Sequence, residues 1–223
     1  MRNKTDLTGD LFEDTSAVVR SRQYLAPGAF LLRDFARAGE AGIMSALRAV
    51  IARVPLRHMT TPGGYRMSVA MTNCGSLGWI TDRSGYRYDA IDPESGQLWP
   101  EMPEEFLNLA VTAAAESGFP AFRPDACLVN RYEPGTKLSL HQDKDEKDFA
   151  QPIVSVSLGI PATFLFGGES RADKTQRVLL HHGDVVVWGG PARLRFHGVL
   201  PLKMAVHPAF GQARMNLTFR KAG

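Results

Sequence analysis

Seven residues near the C-terminus, RMNLTFR (Arg214–Arg220), alternate strictly. Arg214, Asn216, Thr218 and Arg220 share one parity, and Met215, Leu217 and Phe219 the other. Successive side chains of a strand point to opposite faces, so this segment predicts a strand with one apolar face and one cationic, amide- and hydroxyl-bearing face. For an isolated strand the polar face reads as water-facing. The same alternation continues upstream. Strands are predicted at about 125–132, 137–143, 152–158, 161–166, 176–181, 184–188 and 193–197, separated by Gly, Pro and Asp. Regular short spacing of this kind marks a sandwich or barrel.

The N-terminal half has a different rhythm. GAFLLRDF (Gly28–Phe35) reads as a strand, and Ala36–Val54 as a helix with Ile43, Leu47, Val50 and Ile51 at helical spacing and Pro55 ending it. Met102–Gly118 predicts a second helix, with Pro103 in its first turn, Glu104 and Glu105 suiting the N-terminal dipole and Gly118 at its C-cap. The Gly-, Tyr- and Ser-rich stretch of about 57–100 is irregular, with short strands at 67–73 and 85–88. Residues 1–26 show no period and are expected to form a loosely ordered N-terminal arm. The predicted fold class is α+β with a mainly β core, a jelly-roll (double-stranded β-helix). One domain over 27–223 carries N-terminal helices, a lid at about 57–100 and the core at about 120–223.

Bulk properties narrow the classes only modestly. The chain has 223 residues, 44% hydrophobic and 22% charged, with a net charge of +3. That length suits one sizeable core. A pI near 9.0 is compatible with a polyanionic partner without requiring one. Two cysteines, Cys74 and Cys127, cannot form a disulfide framework and read as buried thiols in a reducing compartment. No apolar run is long enough to span a bilayer, so no membrane partner is expected. The first residues carry no apolar signal region, and a cytoplasmic, monomeric protein is expected.

Chemistry enters at KLSLHQDKDE. His141 and Asp143 share a strand face, with Cα atoms about 6.6 Å apart, close enough to reach one metal ion. H-x-D alone also fits an exposed strand end running into a charged turn. A third ligand must come from elsewhere, and His58, His181, His182, His197 and His207 compete for the role. His197 lies in a later core strand that can face the H-x-D strand across a small barrel. Two imidazoles and one carboxylate leave positions open on an octahedral ion, as in non-haem Fe(II) oxygenases; zinc with a water also accepts such a set. If His197 is the distal ligand, the two arginines of RMNLTFR return beside it. Buried there, they require anions. A dicarboxylate such as 2-oxoglutarate carries two matching charges. Arg214 and Arg220 are about 20 Å apart along an extended strand, so either they lean together or one serves a different anion. Asn130 and Tyr132 add an amide and a phenol on one parity.

Five segments together resemble the AlkB family of DNA-repair dioxygenases: TPGGYRMSVAMTNCG, PDACLVNRYEPGTKLSLHQDKDE, PIVSVSLGIPATFLFGG, HGDVVVWGG and RMNLTFRKAG. The likeness runs from about residue 28 to the end, with a shorter echo at Asp10–Phe12. It implies oxidative demethylation of N-alkylated bases of the 1-methyladenine and 3-methylcytosine type, with Fe(II), 2-oxoglutarate and dioxygen consumed and formaldehyde, succinate and carbon dioxide released. The implied partner is methylated single- or double-stranded DNA, with RNA as a further candidate. The resemblance implies His141, Asp143 and His197 as iron ligands. It implies Asn130, Tyr132, Arg214, Asn216 and Arg220 as 2-oxoglutarate contacts, and Trp79, Tyr86, Tyr88, Asp145 and Arg171 as residues that hold the damaged nucleotide. Taken alone, Trp79 reads as a packed aromatic, Asp145 as a solvated turn acid and Arg171 as a loop base.

Two rival readings share part of this pattern. A 2-oxoglutarate oxygenase acting on a small molecule or a protein side chain would keep the iron and co-substrate residues, but GWITDRSGYRY argues for a stackable, base-sized substrate. A non-catalytic jelly-roll module that binds nucleic acid through a basic surface would need no metal.

Overall fold

The computed structural model describes residues 21–223. Asp10–Phe12 and most of the expected arm lie outside the described residues. In chain order the elements are β1 (Arg22–Ala26), β2 (Ala29–Leu32), α1 (Glu40–Arg53), β3 (Ala70–Gly75), β4 (Gly78–Asp82), β5 (Gly85–Asp89), α2 (Glu104–Glu116), β6 (Ala126–Tyr132), β7 (Leu138–His141), β8 (Ile153–Gly159), β9 (Ala162–Phe166), β10 (Gln176–Leu180), β11 (Val185–Trp188), β12 (His197–Val199) and β13 (Arg214–Arg220).

A large sheet runs β1-β2-β11-β8-β13-β6-β3, a smaller one β10-β9-β12-β7, and β4 and β5 form a separate hairpin. The predicted jelly-roll is present. Central β13 pairs with β6 and β8 on either side, and all seven of its residues are buried. Its apolar parity, Met215, Leu217 and Phe219, packs under the helices with Ile43, Leu47 and Val50 of α1 and Phe106, Ala110 and Ala113 of α2. Phe106 meets Phe219 edge-on at 6.0 Å. The polar parity turns the other way, into the space between the two sheets. The water-facing reading of that strand face therefore fails, because a second sheet covers it.

Several boundaries depart from the sequence pattern for local reasons. Residues 22–26, expected in the arm, form edge strand β1 against β2. The first helix begins at Glu40 rather than Ala36. The β10–β11 turn holds the preceding backbone, with Asp34 N–H donating to Asp184 and Ala36 N–H to the Gly183 carbonyl. The strand expected at 193–197 begins only at His197, because the 3-10 turn Gly190–Ala192 carries Pro191 and the chain keeps turning through Arg195. Strand β4 was not visible as a pattern. The stretch of 57–100 is also divided, since β3 belongs to the edge of the large sheet and only β4–β5 stands apart from both sheets.

Candidate metal and co-substrate site

The small sheet sets the two imidazoles against each other. His197 on β12 is the direct cross-strand partner of His141 on β7, and their rings lie 4.4 Å apart. A register shift follows immediately, with Val199 paired to Leu138, so the end of β7 is re-aimed by a bulge. Gly198 makes the close approach possible: a Cβ there would meet the Leu138 carbonyl oxygen at 2.7 Å. Each ring is oriented by a hydrogen bond from Nδ1 to a carbonyl two residues upstream, Ser139 for His141 (2.9 Å) and Arg195 for His197 (3.0 Å). With Nδ1 donating, the Nε2 lone pairs are free, and both point at Asp143. Nε2 of His141 lies 3.6 Å from one carboxylate oxygen and Nε2 of His197 3.7 Å from the other.

These three residues are the group the described residues offer for a metal, with ligand atoms all within 4.8 Å of one another. The other candidate histidines lie elsewhere. His58 is bonded to the Met67 carbonyl, His181 is exposed, and His182 stacks on His207 at 4.3 Å. Three donors, with no fourth protein ligand among the described residues, suit a divalent ion that keeps open positions, and not a closed tetrahedral zinc. Burial, then the neighbouring His141, pushes the His197 imidazole down to about 4, so it is neutral and free to donate at pH 7. Burial alone would raise the Asp143 carboxyl. Arg220 together with the His197 and His141 imidazoles outweighs it, and the group is held well below the usual carboxylate range.

The two arginines of β13 have different partners. Arg220 places Nε and Nη2 on one Asp143 oxygen, at 3.0 and 2.8 Å, and Nε also lies 3.2 Å from Glu146. Arg214 is 2% exposed, donates from Nε to Ser157 (2.9 Å) and lies 5.0 Å from the Tyr132 ring centroid. Its Nη1 has no partner, and among the described residues no carboxylate pairs with it. A buried cation with an orphaned donor is costly without an anion, which fits a carboxylate-bearing ligand between the sheets. Asn216 is already occupied, donating to Ser155 and the Val156 carbonyl and accepting from Asn130 and Thr218.

The hairpin β4–β5 covers this site from one side. Cross-strand pairing puts Trp79 opposite Tyr88 and Thr81 opposite Tyr86, so all three aromatics share a face. Trp79 and Tyr86 stack at 5.7 Å with 19° between their planes. Trp79 Nε1 donates to Asp145 (2.9 Å), and the Tyr88 hydroxyl to Glu146 (2.7 Å). Asn73 anchors the base of the hairpin by accepting the Trp79 N–H and donating to its carbonyl, each at 3.0 Å. Arg87, on the opposite hairpin face, pairs with Asp82 at 2.8 Å. Arg171 reaches the same region from the loop after β9, donating to the Leu140 carbonyl at 2.6 Å. Trp79 and Tyr88 thus reach the segment after Asp143 through Asp145 and Glu146, while Tyr86, Asp145 and Arg171 are exposed.

Sequence reasoning missed Glu146 and Arg193. Glu146 is buried inside DKDEKD, a run that reads as a solvated charged turn. Its partners Tyr88, Arg193 and Arg220 come from three distant segments, so only its inclusion in the family-like stretch could have marked it. Arg193 carried no signal at all.

The chain is similar to known proteins over most of its length. The sequence profile of the 2OG-Fe(II) oxygenase superfamily matches residues 28–220. The alpha-ketoglutarate-dependent dioxygenase AlkB of Escherichia coli is 56% identical over 214 residues, covering 96% of this chain and 98% of that protein. A plant relative, the DNA N(6)-methyladenine demethylase ALKBH1C of Arabidopsis thaliana, is 33% identical over 66% of this chain and 38% of its own length. The solved structure of OsALKBH1 superimposes with a TM-score of 0.77 at 32% identity, covering 90% of this chain and all of that one. With a superfamily profile spanning nearly the whole chain and a full-length relative at this identity, the chain belongs to the AlkB family of Fe(II)- and 2-oxoglutarate-dependent dioxygenases.

Proposed function

We propose that the protein removes N-methyl groups from damaged bases, of the 1-methyladenine and 3-methylcytosine type, in methylated DNA and in RNA. The observation that carries this reading is the aromatic face of β4–β5 standing beside the His141, Asp143 and His197 cluster and bonded to the acids that follow it. His141, Asp143 and His197 would hold the ferrous ion. Arg214, with Tyr132 beside it, would take the far carboxylate of 2-oxoglutarate, while Arg220 stays committed to Asp143 and Glu146. Asn130 and Asn216 would line that ligand. Iron with 2-oxoglutarate and dioxygen supplies oxidising power that no side chain here has.

The chain's own residues supply position and charge. Trp79 and Tyr86 offer a stacking surface for an extruded base, worth about 1–3 kcal/mol per base in single-strand binders. Bases methylated at these nitrogens carry a positive ring charge, and Asp145, at the indole edge, gives that charge an anion. Arg171 and the basic balance of the chain suit the phosphate backbone. A lesion that cannot pair is cheaper to extrude, which favours damaged over normal duplex. The β4–β5 hairpin acts as the nucleotide lid over the jelly-roll core. Among the described residues no helix is long and apolar enough to cross a membrane. We take the enzyme to be a monomer acting in the cytoplasm.

The test is incubation with Fe(II), ascorbate and 2-oxoglutarate on oligonucleotides carrying single methylated bases, in DNA and in RNA. Loss of one CH₂ by mass and release of formaldehyde are expected, both abolished in His141→Ala. Succinate formation without any change in the oligonucleotide would redirect the assignment to a small molecule or protein side chain.

A further inference from the structure

Arg193 lies just past the Gly190–Ala192 turn, shortly before His197, and is 3% exposed. All three kinds of nitrogen in its fork are directed at the segment that joins β7 to β8. Nη1 donates to the Asp143 carbonyl (2.7 Å), Nε to the Gln151 carbonyl (3.0 Å) and Nη2 to the Glu146 carboxylate (3.0 Å). Phe149, from the same segment, faces the guanidinium at 5.3 Å. Neutralising a buried acid would need only the third of these bonds. The other two pin the backbone at both ends of the segment, a geometry that a planar five-donor group provides and an ammonium does not.

Glu146 passes the constraint on. Its other contacts are the Tyr88 hydroxyl of the hairpin and Nε of Arg220, which itself grips Asp143. Asp143 is therefore held from two directions, at its carboxylate by Arg220 and at its backbone by Arg193, and both arginines meet on Glu146 beneath Tyr88. We infer that Arg193 is a positioning residue. It fixes the Asp143 segment against the two imidazoles and ties that segment to the β4–β5 hairpin, so that metal affinity and nucleotide affinity depend on it together. The inference rests on the reading of His141, Asp143 and His197 as metal ligands.

The experiment compares the full-length wild type with Arg193→Met, Arg193→Lys and, as a control, Arg33→Met, which removes a different ion pair, to buried Asp184. Three quantities are measured: the thermal midpoint of the metal-free protein, the affinity and visible absorption spectrum for added Co(II), and binding of a labelled methylated oligonucleotide to the Co(II) form. Arg193→Met is expected to weaken Co(II) binding about 10–100-fold, as loss of groups that orient metal ligands does. It should also alter the Co(II) spectrum and weaken oligonucleotide binding severalfold. Arg193→Lys, keeping the charge and losing the fork, should recover only part of each. Arg33→Met should lower the thermal midpoint and leave Co(II) binding unchanged. Wild-type Co(II) affinity and spectrum in folded Arg193→Met overturn the inference, whatever its thermal midpoint. If that variant does not fold, Arg193→Lys decides by the same criterion. Failure of the underlying metal reading looks different: His141→Ala would then bind Co(II) as well as the wild type, and both readings fall.

Discussion

Arg214 and Arg220 stand on one face of β13 and are both buried, yet their circumstances are opposite. Arg220 has Asp143 and Glu146, which, against the burial that lowers it, hold its guanidinium well above its usual value; Arg214 has burial alone against it and is lowered. An unpaired buried cation destabilises the empty protein and repays that cost only when an anion arrives. Arg214→Met should therefore raise the thermal midpoint of the co-substrate-free protein while weakening 2-oxoglutarate binding at least about a hundredfold. Calorimetric titration and thermal melts check the two signs together. A second expectation concerns His197 in the metal-free protein. Its native value of about 4 lies below the ordinary 6.5, so the unfolded chain takes up this proton first. The stability that neutral His197 contributes is complete above pH 6.5 and is lost as pH falls toward 4. NMR titration of the imidazole, with melts across that window, tests the direction.

Elements place these residues more than the residues place themselves. Gly198 lets β12 run against β7, and the added methyl of Gly198→Ala would press on the backbone oxygen of Leu138 rather than on a yielding side chain. Separation of His141 from His197, seen as a drop of tenfold or more in Co(II) affinity, is the expected result. On the hairpin, Trp79→Ala removes both the stack with Tyr86 and the indole donor to Asp145. Binding of methylated single strands should weaken by about 1–3 kcal/mol, measured by fluorescence anisotropy, with metal affinity preserved. Asn73 shows how the hairpin is held: one buried amide satisfies both backbone groups of Trp79, standing in for a neighbouring strand.

For the whole molecule, the large sheet separates two jobs across one layer. One face packs on α1 and α2 and supplies stability; the other faces the small sheet and carries chemistry. Phe219→Ala, a change on the helix side, should cost about 3–5 kcal/mol, with a thermal midpoint lower by roughly 6–20 °C. Below that midpoint the variant should keep wild-type affinity for Co(II), since no ligand touches Phe219. The two-faced plan also explains what the chain showed in advance. Alternation in RMNLTFR and in the stretch around Asn130 and Tyr132 predicted strands within a residue of their observed bounds, because parity survives burial on both sides. Element ends were less legible. Asp184 and Gly183 delay α1, and nothing near Ala36 in sequence announces contacts with a turn so far along the chain.

Sequence alone determined the strand parity, the H-x-D pair and the segments shared with the family, since each is a matter of residue type at fixed local spacing. Only the tertiary structure decided that His197 faces His141, that Arg214 stays unpaired while Arg220 takes two acids, and that Glu146 and Arg193 belong to the site. The physical reason is one of range. Side-chain alternation is fixed by neighbours along the backbone, whereas the partner of a buried charge is fixed by whichever distant segment the closed pair of sheets brings within about 3 Å of it.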